Sequence, residues 1–130
     1  MRSYNIITPD CISPKPNQSE EAVAELLAQH FDSDISFIKR GSHTTPDIKV
    51  IKTGEFWEIK NIRGNGKHTM EDNLRKASKQ SSNVVISLLQ NPKMTPAKAA
   101  SKIRFVLENA NIPIDHVLLI TKSRKIIAIC

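Results

Sequence analysis

Long apolar runs are missing from this chain. No stretch approaches the ~20 consecutive apolar residues that a membrane-spanning helix requires. The opening segment, MRSYNIITPDC, has no apolar core of the secretory kind, so no export signal is visible there. Cysteine is scarce as well. Cys11 and Cys130 are too few for a disulfide framework or a cysteine-based metal cluster, and they fit a reducing compartment. Aromatic residues make up 5% of the chain, which argues against the extended base-stacking platform of general single-strand binders. No Cys/His spacing suggests zinc, and no Gly-x-Ser-x-Gly or Cys/His pair suggests acyl transfer. Neither the Walker nor the Rossmann glycine fingerprint is present. Repeats and low-complexity segments are absent too.

What the chain does have is positive charge. Its Lys and Arg outnumber Asp and Glu by 19 to 13, for a net charge of +6. Such an excess suits nucleic acid, an anionic membrane surface or an acidic protein partner. With 130 residues, 39% of them hydrophobic, the chain is long enough for one domain with its own core.

Residues 1–18, with Pro9, Pro14 and Pro16, read as an extended N-terminal arm preceding a domain over 19–130. Ser19 followed by two glutamates predicts a helix N-cap, and the helix runs to about His30 with Val23, Leu26 and Leu27 buried. A short strand follows at 34–39, then a hairpin at 45–60 and a glycine-bearing loop at 63–69. Thr69 is expected to cap a second helix over 70–82, with Met70, Leu74 and Ala77 as its apolar stripe. The run VVISLL at 84–89 reads as a strand buried on both faces. Thr95-Pro96 starts a third helix reaching about Asn109, and strands at 116–121 and 125–129 close the chain. The fold class predicted is α/β: a single mixed, largely antiparallel sheet with three helices, in the order α-β-β-β-α-β-α-β-β.

The hairpin TPDIKVIKTGEFWEIK carries the first chemical signal. With Thr53-Gly54 as a two-residue turn, Val50 faces Trp57, Ile48 faces Ile59, Lys49 faces Glu58 and Asp47 faces Lys60. One face is then Ile48, Val50, Trp57 and Ile59, a core face; the other is Asp47, Lys49, Glu58 and Lys60. The charged side reads either as a solvent-facing row of salt bridges or as a nuclease site. A metal-dependent phosphodiesterase needs hard oxygen ligands for Mg²⁺, here Asp47 and Glu58, and a cation near the phosphate, here Lys60. Pro-Asp followed eleven residues on by Glu-Ile-Lys is the pattern of PD-(D/E)XK nucleases.

The loop Arg63-Gly64-Asn65-Gly66-Lys67-His68-Thr69 leaves the Glu-x-Lys strand and runs into a helix N-terminus. Its glycines permit close backbone approach, so Arg63, Gly64, Gly66, Lys67 and Thr69 are candidate phosphate-binding positions; a plain solvated connector is the alternative. Arg75 and Gln80 extend the set along the following helix. A ribonuclease that uses the 2′-hydroxyl needs no metal, only an acid, a base and cations, and His43 and His68 are placed to supply the first two. No cofactor is favoured on these residues, and Mg²⁺ is carried as the alternative.

Taken together, SEEAVAELLAQHF, TPDIKV and EFWEIKNIRGNGKHTMEDNLRKASKQSSNVVISL resemble the C-terminal toxin domain of contact-dependent growth-inhibition effectors and related phage and polymorphic toxins. The resemblance implies a nuclease toxin, with tRNA favoured among its RNA substrates, acting in the cytoplasm of a target cell after delivery as part of a larger effector. It implies a cognate immunity protein as partner and brings in elongation factor Tu as a candidate host activator. The residues it singles out are Asp47, Glu58, Lys60 and Gln80. Such toxins have been grouped both with PD-(D/E)XK nucleases and with the metal-independent barnase, EndoU, colicin and RelE group, so metal use stays open. A metal-dependent DNase and a non-enzymatic nucleic-acid-binding or phage structural module are the other readings.

Overall fold

Seven strands lie in one sheet in the order in which the chain produces them, among the described residues 3–39 and 45–130 of the computed structural model. The elements are β1 (Ile6–Ile7), α1 (Gln18–Phe31), β2 (Ile35–Phe37), β3 (Ile48–Val50), β4 (Phe56–Asn61), α2 (Thr69–Ser78), β5 (Asn83–Ser87), α3 (Pro96–Asn109), β6 (His116–Ile120) and β7 (Ile126–Ala128). The mixed α/β class and the element order are those expected, with β1 added. That strand comes from the proline-bearing arm: Ile6 and Ile7 pair in parallel with Ile35 and Ser36, and Ile12 is buried behind them. Three pairings are antiparallel, β2–β3, β3–β4 and β6–β7. Three are parallel, β1–β2, β4–β5 and β5–β6. The parallel share is larger than expected because α1, α2 and α3 are crossover connections that return the chain in the same direction.

The sheet has a hydrophobic layer on each side. Val23, Ala24 and Leu27 of α1 pack on Ile35, Ile48, Val50, Trp57 and Ile59. Met70, Leu74 and Ala77 of α2 and Ala99, Ile103 and Val106 of α3 pack on Val84, Ile86, Val117 and Leu119. Alternation along β5 sends Val85 to the first layer and Val84 and Ile86 to the second, which is why that strand is a continuous apolar run.

Two helix starts differ from expectation. The N-cap of α1 is Asn17, in a capping box with Glu20, whereas Ser19 is the second helical residue, buried, and donates to Asn61 Oδ1 at 3.0 Å. Asn17 competes better because its carboxamide reaches the backbone N–H of Glu20 at 2.8 Å. Helix α2 is capped at His68, with no side-chain hydrogen bond, so Thr69 is the first helical residue; the helix stops at Ser78. Thr95 caps α3 with Pro96 behind it, as its sequence predicts.

The hairpin register is shifted by two residues. Ile48 faces Trp57 and Lys49 faces Phe56, while Val50 N–H donates to Glu55 O and Gly54 N–H to Val50 O, both at 2.8 Å. The connection is therefore the four residues from Ile51 to Gly54, and Gly54, at φ 77°, takes the left-handed position. Because the side-chain period is two, this slip preserves which residues share a face. It changes who faces whom: continuing the ladder sets Asp47 against Glu58, not against Lys60.

Candidate active site

Strand β4 is covered on both sides. Trp57 and Ile59 are buried in the α1 layer, and Glu58 on the opposite face is 2% exposed. Glu58 stands in register with Val84 and Lys60 with Ile86, so both charged residues occupy positions that the neighbouring strand fills with hydrocarbon. The charged side of the hairpin is not a wet row of salt bridges.

Asp47 is itself 6% exposed and is anchored across the hairpin, its Oδ2 accepting from Ile59 N–H at 2.9 Å. Lys60 Nζ lies 3.3 Å from Glu58 Oε2, with 22% of the lysine side chain still open to solvent. Glu58 Oε1 has no hydrogen-bond partner among the described residues, although it is shut off from solvent. Burial is the main cause that raises the Glu58 carboxyl from its ordinary 4.5 to about 8; the charge of Asp47 and the hydrogen bond between the two carboxyls add to it, and Lys60 pulls it back. A carboxyl that titrates near neutral, with an ammonium beside it, is matched to moving a proton and to steadying negative charge that develops on a phosphate.

The surroundings sort the other predicted residues. Gln80 comes close, its Nε2 donating to Thr45 O at 3.5 Å from just beyond α2. Glu20, read in the sequence only as a helix-start acid, shares a small cleft with Asp47, Lys15 and Phe37. The glycine loop is tied down rather than free. Asn91, fully buried, donates to Ile62 O at 3.0 Å and Gly64 O at 3.1 Å and accepts from Met94 N–H at 2.8 Å. Nothing but an Asn-Pro dipeptide marked Asn91 in the sequence. Gly66 sits so close to the helix start that an added Cβ would lie 2.9 Å from Thr69 Oγ1, which gives that glycine a packing reason. Arg63 donates to Gln90 Oε1 at 3.0 Å, and Arg75 pairs with Glu71 at 3.0 Å. Lys67 and His68 border a separate groove against α3 rather than the carboxylate pair. His43 lies outside the described residues. A roomier cleft of about 550 Å³, lined by Tyr4, Leu26 and Arg124, contains none of the charged cluster, so burial and charge rather than volume mark the site.

A magnesium ion fits the donor set. Two adjacent carboxylates, one with a buried oxygen lacking a partner, supply hard ligands of the kind Mg²⁺ takes alongside water and phosphate oxygens. Among the described residues no group of three or more His, Cys, Asp or Glu is arranged around a metal position, so protein ligation would rest on Asp47 and Glu58.

Fold and site define a mixed α/β domain with a buried carboxylate pair and a lysine on adjacent strands, beside a basic loop. The model of the contact-dependent growth inhibition CdiA C-terminal domain matches residues 44–126, and the chain belongs to that family, the toxin domains of inter-bacterial competition. A chain of the CdiA-CT/CdiI toxin and immunity complex from Burkholderia pseudomallei has the same fold. The match has a TM-score of 0.63, covers 95% of this chain and 97% of that one, and has 16% sequence identity. No curated protein matches the chain in sequence. No helix among the described residues is long and apolar enough to cross a membrane.

Proposed function

We propose that this toxin domain is a nuclease that cleaves RNA phosphodiester bonds, with tRNA as the favoured substrate. The observation that carries the reading is the buried Asp47–Glu58 pair with Lys60 at 3.3 Å, set into strand positions that packing alone would fill with apolar side chains. Two buried carboxyls that share one lysine cost the fold stability, and such groups are concentrated at functional sites. In this reading Glu58 exchanges a proton with the reacting hydroxyl, Asp47 holds Glu58 and sets its affinity for that proton, and Lys60 stabilises charge on the phosphorane. Arg63 binds a phosphate beside the scissile bond, Lys67 and His68 hold phosphates farther along the strand, and Gln80 positions a neighbouring group.

Magnesium bound by Asp47 and Glu58 would supply Lewis-acid stabilisation of the phosphate and an activated water. The partnerless Glu58 Oε1 favours that variant, which also admits a metal-dependent DNase. The test is to incubate the protein with total tRNA and with plasmid DNA, each in Mg²⁺ and in EDTA, and to map the product ends. Cleavage of tRNA in EDTA with 2′,3′-cyclic phosphate ends supports 2′-hydroxyl attack, with His43 as the candidate partner acid or base, since His68 borders the separate groove. Loss in EDTA, restored by Mg²⁺ and giving 5′-phosphates, assigns the carboxylates to metal. Cleavage of plasmid DNA alone would replace RNA as the substrate.

As a partner, a dedicated immunity protein is proposed by analogy with the complexed relative, and elongation factor Tu as a host activator. Delivery into the cytoplasm of a target cell as part of a larger effector follows from the same reading.

A further inference from the structure

Helix α3 buries Ala99, Ala100, Ile103 and Val106, and Phe105 falls outside that stripe. At 65% exposure it is the most exposed large apolar side chain among the described residues, and no core contact accounts for it. The others have structural settings: Ile7 and Ile127 lie on edge strands, Ile51 lies in the hairpin loop, and Phe56 has Lys49 Nζ 5.6 Å from its ring centroid. Phe105 instead borders a groove of about 370 Å³ between α3 and the start of α2. Buried Met70 and Val106 line it on the apolar side, and Lys67, His68 and Lys102 supply its polar lining. The one acid there, Glu71, is engaged by Arg75 at 3.0 Å, which leaves the lysines as the free charge of the groove.

We propose that this groove binds one unstacked nucleotide of the RNA strand, its base stacked on Phe105 and its flanking phosphates held by Lys67 and Lys102. The inference rests on the nuclease reading above and adds to it a place where the strand is gripped away from the scissile bond. Size suits this, since small-ligand clefts start at roughly 300 Å³. Charge suits it also: a solvent-facing ring in a groove lined by two lysines can stack a base while cations follow the backbone. The groove is continuous in sequence with the strand of Lys60, because the loop from Arg63 to His68 joins the two and contributes Lys67 and His68. A scarcity of aromatic residues limits such stacking to a single position rather than a platform.

The experiment measures binding of a fluorescein-labelled 12-nucleotide single-stranded RNA by anisotropy, in a Lys60→Ala background so that the probe survives. Phe105→Ala is expected to weaken binding about tenfold, within the range of one base–aromatic stack, and Phe105→Trp to restore it. Lys102→Ala is expected to lower the salt dependence by about 0.7 in log–log slope, the value for one phosphate contact on a single strand. Exposure of Phe105 keeps its variants folded, which thermal melts check. Binding within twofold of the parent in Phe105→Ala overturns the proposal. So does unchanged RNA binding with a loss of more than tenfold in affinity for the purified immunity protein, which would make the groove a protein-docking surface. Cleavage of tRNA by the chain with Lys60 intact is scored separately. If cleavage is present but Phe105→Ala binds normally, the groove assignment alone falls. If cleavage is absent but binding depends on Phe105, the groove stands and the nuclease reading falls.

Discussion

β4 and β5 run side by side, parallel and covered on both faces, but they fill the same positions with opposite chemistry. Val84 and Ile86 of β5 meet α2 and α3 as hydrocarbon, while their register partners on β4 are Glu58 and Lys60. Nothing about the sheet requires the charges, because the neighbouring strand shows what packing prefers there. Replacing a buried ion pair by apolar residues of similar size is often neutral or stabilising by ~1–4 kcal/mol. The charged positions of β4 are therefore a cost that the fold carries, and the β5 run supplies part of the apolar burial that offsets it.

The sharpest way to break the contrast is to remove the lysine. Lys60→Ala leaves Glu58 facing Asp47 without the ammonium at 3.3 Å and removes the cation proposed to stabilise charge on the phosphate. Toxicity in cells, at matched expression, is expected to fall by 10²-fold or more, the usual range for a lost acid–base or electrostatic contributor. Full toxicity in this variant would move the active site elsewhere.

The carboxyl gives a smaller effect with a definite pH signature. Glu58 titrates at about 8 in the fold against 4.5 without it, so the folded chain holds a proton that the unfolded chain releases between those values. Stability from this group is therefore largest below about 4.5 and declines as pH rises through that window to about 8. Glu58→Gln is expected to lie close to the native melting temperature near pH 5 and to exceed it by roughly 5 °C or more near pH 9, where the native carboxyl is charged. Equal melting curves at both pH values would show that Glu58 is not held in a desolvated site.

The smallest effect is expected from Lys49, which shares the charged face but lies toward the turn end of the hairpin, with its ammonium 5.6 Å from the Phe56 ring centroid. Lys49→Ala is expected to change toxicity and RNA cleavage by less than about threefold, because an exposed contact of this kind contributes ~0.5–1 kcal/mol at most. A loss as deep as that of Lys60→Ala would mean that the whole face, not its buried half, engages the substrate.

Most of what was legible in the sequence was periodic or local. The stripe Met70, Leu74 and Ala77, the Thr95-Pro96 helix start and the sorting of Trp57 and Ile59 from Glu58 and Lys60 are all as the pattern predicts. The hairpin faces survived a wrong register because a two-residue slip leaves parity unchanged. What was not legible depends on partners distant in sequence. That Glu58 is buried follows from β5 and α2 closing over it, and alternation within one strand cannot reveal that. The pairing of Asp47 with Glu58 depends on how Gly54 closes the loop. Glu20 reaches the Asp47 cleft through the packing of α1, and Asn91 holds the glycine loop from 27 residues away, so neither has a local motif. β1 was hidden because the prolines around Ile6 and Ile7 read as an arm, whereas two strand residues suffice to pair with β2.

The most direct test is to write the β5 solution into β4. A Glu58→Val, Lys60→Ile double variant should melt at or above the native temperature at pH 8, because a buried pair is exchanged for hydrocarbon that Val84 and Ile86 already accept next door. Incubated with total tRNA beside the native chain, which is expected to cleave it, the double variant is predicted to leave the RNA intact while folded. Cleavage by the folded double variant at a rate within tenfold of native would contradict the account, because the buried charges would then be neither structural nor catalytic.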